Sequence, residues 1–186
     1  MKIFIKKCAA VMLTAAVALV MSVGLCGCDE EFWETLLTET ETSAVDGMDG
    51  PYEVVNVVDG DTIKLMIDGE KTNVRLIGID TPESVHPDAT KNVPEGKLAS
   101  DHTKELVGDN QLYLVYGTEP QDRYGRPLCY VYLSDGTMLN EQILRDGYAD
   151  VMIVGKNNEY KEYFTQIRDE ARDEQRGLWS TGVFDD

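Results

Sequence analysis

The sequence predicts an α+β domain dominated by β-structure: a small five-stranded barrel packed with three helices. Three observations lead there. Tyr52 to Ile79 reads as three strands joined by tight turns. Two further apolar strands follow, at Gln111 to Tyr116 and Pro127 to Leu133. Helical periodicity breaks into this series only after the third strand and after the fifth.

Each element has its own signal. Tyr52 to Val58 alternates and is rich in valine, the pattern of a half-buried strand, and Asp59-Gly60-Asp61 ends it in a turn. Thr62 to Ile67 alternates again, and Asp68-Gly69 is a two-residue hairpin signal leading into Thr72 to Ile79. Ser84 to Pro94, interrupted by Pro87 and Pro94, reads as loop. Leu98, His102 and Leu106 fall at i, i+4 and i+8, which predicts a helix over Gly96 to Val107. Met138 to Arg145 is a short helix stopped by Gly147, and Tyr148 to Val154 is a short extended stretch. Asn158 to Arg176 is the longest helix, with Tyr160, Phe164, Ile167 and Ala171 on one face, Gly177 at its end and Trp179 beyond. Five strands with helices after the third and fifth fit a closed barrel, for which the oligonucleotide-binding (OB) fold is the candidate.

This domain occupies residues 51–186, and two segments precede it. Lys2, Lys6 and Lys7 stand before an apolar run from Cys8 to Leu25, the layout of an export signal. The run ends in Leu25-Cys26-Gly27-Cys28, which resembles a bacterial lipobox; that resemblance implies a signal peptide over 1–27, cleavage before Cys28 and a lipid on its sulfur. A plain signal peptide and an uncleaved membrane helix are the alternatives. More than one acyl chain anchors a protein stably, so the expected location is the outer face of the cell membrane, with release also open. Residues 28–50 carry eight acidic side chains and no Lys or Arg beyond Cys28, and read as a flexible tether. Within it Phe32 and Trp33 suit either a membrane interface or a short frayed helix. Only Cys129 falls in the domain, so an internal disulfide is excluded, and its apolar neighbours Leu128 to Leu133 mark it as a core residue.

Charge pulls against a nucleic-acid partner. The chain is −17 overall, and residues 51–186 alone hold 26 acidic and 14 basic residues. Basic surfaces supply most non-specific affinity for phosphate backbones. Weak, non-processive binding of any polyanion is therefore the expectation.

Three short motifs carry candidate chemistry: Val58-Asp59-Gly60-Asp61-Thr62, Arg75-Leu76-Ile77-Gly78-Ile79-Asp80-Thr81-Pro82-Glu83 and Asp122-Arg123-Tyr124-Gly125-Arg126. Asp61 opens one strand and Asp80 ends another, so neighbouring strand ends can bring their carboxylates together. Such a pair repels unless a cation joins it, and oxygen donors favour Ca²⁺ or Mg²⁺ over Zn²⁺. Arg75 sits on an otherwise apolar strand, so it is either paired, with Asp68 or Glu70 as nearby partners, or aimed at an anion. Arg126 follows a glycine turn that can direct its side chain at a ligand. Two guanidinium forks, a divalent cation and the spare carboxylate of Glu83 are the parts needed for phosphodiester hydrolysis. Taken singly, Asp-Gly-Asp, Asp80-Thr81-Pro82 and Tyr124-Gly125-Arg126 are ordinary turn sequences. Their joint order and spacing carry the reading.

Together with His86-Pro87, Asn140-Glu141 and Trp179, these motifs resemble the thermonuclease (staphylococcal nuclease) family from about Tyr52 to Trp179. The resemblance implies an OB barrel with three helices. It implies Ca²⁺ held by Asp61, Asp80 and the main-chain carbonyl of Thr81, phosphate contacts from Arg75 and Arg126, and Glu83 as the general base or water-orienting group. Arg123 and Tyr124 fall in the substrate-binding turn. The implied reaction is in-line attack of water on phosphorus in DNA or RNA, leaving 3′-phosphate products, carried out by a monomer. One departure stands out. Where the family's type enzyme has two substrate-site tyrosines, this chain has Ile153 and Gly155. Base stacking is worth about 1–3 kcal/mol per base, so weaker substrate binding is expected. Two other classes compete: a non-catalytic OB module that binds nucleic acid or another anion, and a surface calcium-binding or adhesion protein. Retention of all five charged site residues favours the enzyme over the first. The second explains the acidity but not the arginines.

Overall fold

The computed structural model describes residues 44–84 and 93–185. Cys28 with its lipobox, the first part of the tether, and His86-Pro87 lie outside them. Three strands, β1 (Asp49–Asp59), β2 (Thr62–Ile67) and β3 (Glu70–Leu76), form the expected antiparallel meander. Asp68 and Gly69 both have positive φ, 51° and 81°, as the tight hairpin between β2 and β3 requires.

Two later strands close the barrel. β5 (Leu112–Gln121) pairs antiparallel with β6 (Pro127–Leu133) and with β1, while β6 runs parallel to β3, giving the cyclic order β1-β2-β3-β6-β5. A parallel pair needs a long crossover. Here the crossover contains β4 (Gly78–Asp80), helix α1 (Pro94–Val107) and β5. Helix α2 (Leu139–Arg145), β7 (Asp150–Met152), α3 (Lys161–Asp173) and a 3₁₀ turn (Gly177–Thr181) complete the chain, and β4 and β7 pair antiparallel as a separate ribbon. The predicted α+β class, five-stranded OB-type barrel and three helices are all present.

Alternation decides which side chains line the barrel. Ile63 and Leu65 on β2, Val74 and Leu76 on β3, and Cys129 and Val131 on β6 are buried, so Lys64, Asn73, Arg75 and Leu128 occupy the opposite face. Phe164 of α3 is fully buried in the same core. Cys129 is the core residue the sequence indicated, and burial pushes its thiol up to about 12.

Several boundaries differ from expectation. The run Thr72 to Ile79 is not one strand. Gly78 adopts φ +82°, outside the β region, and the ring of Phe164 lies 2.8 Å from where a Cβ on Gly78 would stand. The chain therefore leaves the barrel at Ile77, and β4 turns toward β7. β1 starts at Asp49, inside the segment read as tether, because Asp49 pairs with Leu114 of β5; Val45 ahead of it is buried too. β5 continues to Gln121 through a register shift after Tyr116. The long helix stops at Asp173, with Gln175 at φ 51° ending the helical path before Gly177.

Candidate active site

The turn after β1 and the end of β3 meet at one arginine. Arg75 is opposite Thr62 in the β2–β3 register, one residue from Asp61. Its Nη1 lies 2.5 Å from Asp61 Oδ2, and its Nη2 donates to Asp80 Oδ1 at 2.9 Å. The partners weighed from sequence, Asp68 and Glu70, sit at the far end of the hairpin and are exposed. Arg75 is thus the bridge between the two carboxylates that the sequence proposed as metal ligands.

Asp61 is held from every side. Its Oδ1 accepts from the Thr62 hydroxyl at 3.0 Å, and its Oδ2 accepts from the Thr81 N–H at 3.1 Å. Thr81 is buried, and its Oγ1 has no hydrogen-bond partner among the described residues. Burial pushes the Asp61 carboxyl up, against the lowering effect of Arg75 and the two hydrogen bonds. Asp80 is pushed up to about 6, first by burial and then by the charges of Asp61 and Asp150, with Arg75 opposing. Two desolvated carboxylates sharing one guanidinium leave a negative excess, and only oxygen donors are present. That donor set suits a hard divalent cation. Among the described residues no three His, Cys, Asp or Glu side chains gather as a ready-made cluster. A cation here therefore needs a main-chain oxygen as well, and Thr81 is the residue between the two carboxylates and Glu83. Glu83 itself is exposed.

Asp59, to which the motifs assign no chemistry, organises the segment that bears Glu83. Its buried carboxylate accepts from the N–H of Gly60, from both the N–H and hydroxyl of Ser84, and from the hydroxyl of Ser100 on α1. The Glu83 carbonyl accepts from Val93 N–H at 3.0 Å, so the two ends of the intervening loop are pinned together. Gly96 packs so tightly on the Glu83 backbone that a Cβ there would collide with it. No local sequence signal marks Ser84, Ser100 or Gly96, since their partner Asp59 is 25 to 41 residues away in chain for the two serines.

Arg126 comes from the opposite side. β3 and β6 pair with Arg75 opposite Leu128, and Arg126, the residue just ahead of β6, stands two positions before Leu128. The turn before it is closed by Asp122. The Asp122 carboxylate accepts from the N–H groups of Tyr124 and Arg126 and from Arg126 Nε at 2.7 Å, with Gly125 at φ 78° completing the bend. Burial works against the ionised form of Asp122, but these bonds, led by the Arg126 side chain, hold its carboxyl low. The Nη groups of Arg126 make no hydrogen bond with the described residues, so the far side of its fork is open. Tyr124 is 68% exposed, with the guanidinium carbons of Arg123 and Arg126 4.8 and 5.6 Å from its ring centroid, and Arg123 donates to its hydroxyl at 2.7 Å. The structure therefore gathers Asp61, Arg75, Asp80 and Thr81 in direct contact, and brings Arg126 with Tyr124 and Arg123 alongside by strand pairing.

Next to the stretch that holds Ile153 and Gly155 a cleft is lined by Arg75, Gly78, Leu128, Met152, Val154 and Asn157, and neither Ile153 nor Gly155 is among its lining residues. Met152 and Val154 are exposed aliphatic side chains there. Asn157, another residue without a sequence signal, ties this loop to β5 through two bonds with the Glu119 backbone, 2.7 and 2.9 Å long.

The acidic surface is less hostile than its net charge. Eight described cations form ion pairs with described carboxylates: Arg75, Lys97, Lys104, Arg126, Arg145, Arg168, Arg172 and Arg176. Lys64, Lys71 and Arg123 form none: Lys64 and Lys71 lie on the outward face of β2 and β3 that also carries Arg75, with Lys71 toward the hairpin end, and Arg123 lies in the turn before β6. The outward face that carries Arg75 thus also holds cations with no ion-pair partner among the described residues.

The chain matches the family model described as staphylococcal nuclease homologue over residues 73–181. It is 40% identical over 129 residues to a thermonuclease of Staphylococcus hyicus, covering 69% of this chain and 75% of that protein. It is likewise 40% identical over 137 residues to the thermonuclease of Staphylococcus intermedius, covering 74% of this chain and 80% of that one. Against endonuclease YncB of Bacillus subtilis the identity is 38% over 125 residues, 66% of this chain and 58% of the relative.

Proposed function

Because the chain belongs to the staphylococcal nuclease family and is a nuclease that hydrolyses phosphodiester bonds, we propose that it is a calcium-dependent endonuclease of the cell exterior acting on DNA, RNA or both. The observation that carries this reading is Arg75 bridging Asp61 and Asp80 beside the open fork of Arg126.

In this reading Asp61, Asp80 and the Thr81 carbonyl hold Ca²⁺, which supplies charge neutralisation at the phosphate. A cation held there would take over from Arg75 as counter-ion to the carboxylates, leaving the Arg75 fork for the scissile phosphate. Arg126, pre-set by Asp122 through Nε, offers its Nη pair to the same phosphate. Glu83, on the segment anchored by Asp59, orients water for in-line attack or takes its proton. The products carry 3′-phosphates. Arg123 and Tyr124 contact the neighbouring part of the strand. The protein works as a monomer, anchored through a lipid on Cys28 after removal of residues 1–27, with an acidic tether leading to the barrel. Among the described residues no helix is long and apolar enough to cross a membrane.

Nicking of a supercoiled plasmid, followed with Ca²⁺ and with EGTA, tests the reading. Activity disappears in EGTA and returns with Ca²⁺; full activity in EGTA without added metal refutes the site. For the anchor, Cys28→Ala abolishes processing and membrane fractionation, and a processed, membrane-bound Cys28→Ala protein refutes it.

A further inference from the structure

An alternating chain of charges leads away from the site along one side of the molecule. Asp61 pairs with Arg75, and Arg75 with Asp80. Asp150 pairs with Arg168 at 2.5 Å, Arg168 with Asp169 at 2.9 Å, and Asp169 with Arg172 at 3.1 Å. Sign alternates at every link but one. Asp80 and Asp150 are directly opposed across the β4–β7 ribbon, each paired with a different arginine, so two carboxylates occupy facing positions. Directly opposed like charges destabilise a strand pair. The Asp150 charge is also among those that push the Asp80 carboxyl up. Asp150 is fixed in place by two contacts through Oδ1, one from Arg168 Nη1 and one from Val151 N–H at 2.6 Å. Arg168, just past the middle of α3, is only partly exposed and is shared between Asp150 and Asp169.

Resting on the calcium reading above, we propose that Asp150 and Arg168 are positioning residues that set the calcium affinity of the site from outside its ligand shell. Asp150 adds negative potential at Asp80 without being a ligand. Arg168 partly cancels that potential and holds the Asp150 carboxylate on the ribbon. The two residues therefore act with opposite sign on a cation, although deletion of either removes the same ion pair. A purely structural pair lacks this property, since its two deletions cost stability in the same sense.

Calorimetric titration of Ca²⁺ into the full-length protein, without substrate, tests the proposal. Asp150→Asn keeps the acceptor for Val151 N–H and removes the charge, and weakens calcium binding by about three- to tenfold, the scale of one partly screened charge near a divalent ion. Arg168→Gln tightens it by a similar factor. Arg168→Lys keeps the charge and stays close to wild type. Arg172→Gln, one link further out, leaves calcium affinity unchanged and serves as the control. Changes of the same sign in Asp150→Asn and Arg168→Gln, or unchanged calcium affinity in both at lowered thermal stability, overturn the proposal. If Arg168→Gln does not fold, the sign of Asp150→Asn against the unchanged Arg168→Lys decides. A wild-type protein that binds no Ca²⁺ overturns the calcium reading itself, a result distinct from any pattern among the variants.

Discussion

Arg75 Nη1 lies 2.5 Å from Asp61 Oδ2 inside a largely buried pocket, and the same guanidinium also serves Asp80. One cation shared by two desolvated carboxylates is an unsatisfied arrangement, and it leads to the first prediction. Burial raises the carboxyls of both acids, Asp80 to about 6 from an ordinary 3.8. An acid with a raised folded-state pKa binds protons more tightly in the folded state. Its effect is to lower stability as pH climbs from the unfolded value through the folded one. In EGTA, thermal stability therefore falls between about pH 4 and pH 6 through Asp80. Asp61→Asn removes the buried member of the two carboxylates, so its melting temperature in EGTA at pH 7 is at least that of wild type. Its nuclease activity drops by about two orders of magnitude or more, as expected for loss of a group that stabilises transition-state charge. A melting scan and a plasmid assay check both halves. A clearly destabilised Asp61→Asn would mean that the carboxylate is held for the fold and not for a cation.

Arg126 offers a fork that Asp122 has already oriented. Lysine retains the charge but has neither an Nε–H for Asp122 nor a planar pair of donors for phosphate. Arg126→Lys lowers kcat by orders of magnitude, with an unchanged circular-dichroism spectrum. Since Asp122 still accepts from two main-chain N–H groups of the turn, the loop itself persists. Near-normal turnover in this variant would reduce Arg126 to a surface turn residue.

Lys64 and Lys71 pair with no described carboxylate and share an outward face with Arg75. Neutralising both as Lys64→Gln/Lys71→Gln raises KM for long single-stranded DNA. It also flattens the dependence of log K on log salt by about one to two units, because each phosphate contact contributes roughly 0.7 for single strands. Turnover at saturation stays the same. An unchanged salt slope, measured by fluorescence anisotropy in a catalytically dead background, would show that the strand takes another path.

The aliphatic cleft by β7 provides the fourth test. Stacking acts on bound substrate and transition state alike, so Ile153→Tyr lowers KM severalfold with little change in kcat. Gly155→Tyr does not work as a partner substitution. Gly155 has φ +65°, and a Cβ there would collide with the Glu119 carboxylate. Steady-state kinetics on oligonucleotides separate the two. An unchanged KM in Ile153→Tyr would place the base elsewhere.

Much of this protein was determined by local pattern. Two-residue alternation gave away the meander, Asp68-Gly69 its hairpin, and the series of short strands and amphipathic helices the closed barrel. Motif order pointed to Asp61, Arg75, Asp80, Glu83 and Arg126 as candidates, since chemistry needs particular residue types at spacings a strand or turn can bridge, and the family resemblance added Thr81. What alternation could not show was pairing between distant strands and partners. The parallel register of Arg75 with Leu128 brings Arg126 alongside, and it depends on where a 50-residue crossover returns. The break at Gly78 depends on Phe164, a side chain 86 residues later whose ring fills the space a Cβ would need. Arg75 found Asp61 and Asp80 rather than Asp68 or Glu70 because the twist and pairing of β2, β3 and β4 bring the former to its tip. Asp59 became the anchor of the Glu83 segment only once α1 delivered Ser100. Hydrogen bonds and ion pairs act over about 3 Å, while sequence separation carries no distance. Residue identity therefore announced the chemistry, and the packing of the barrel against its helices decided which groups perform it together.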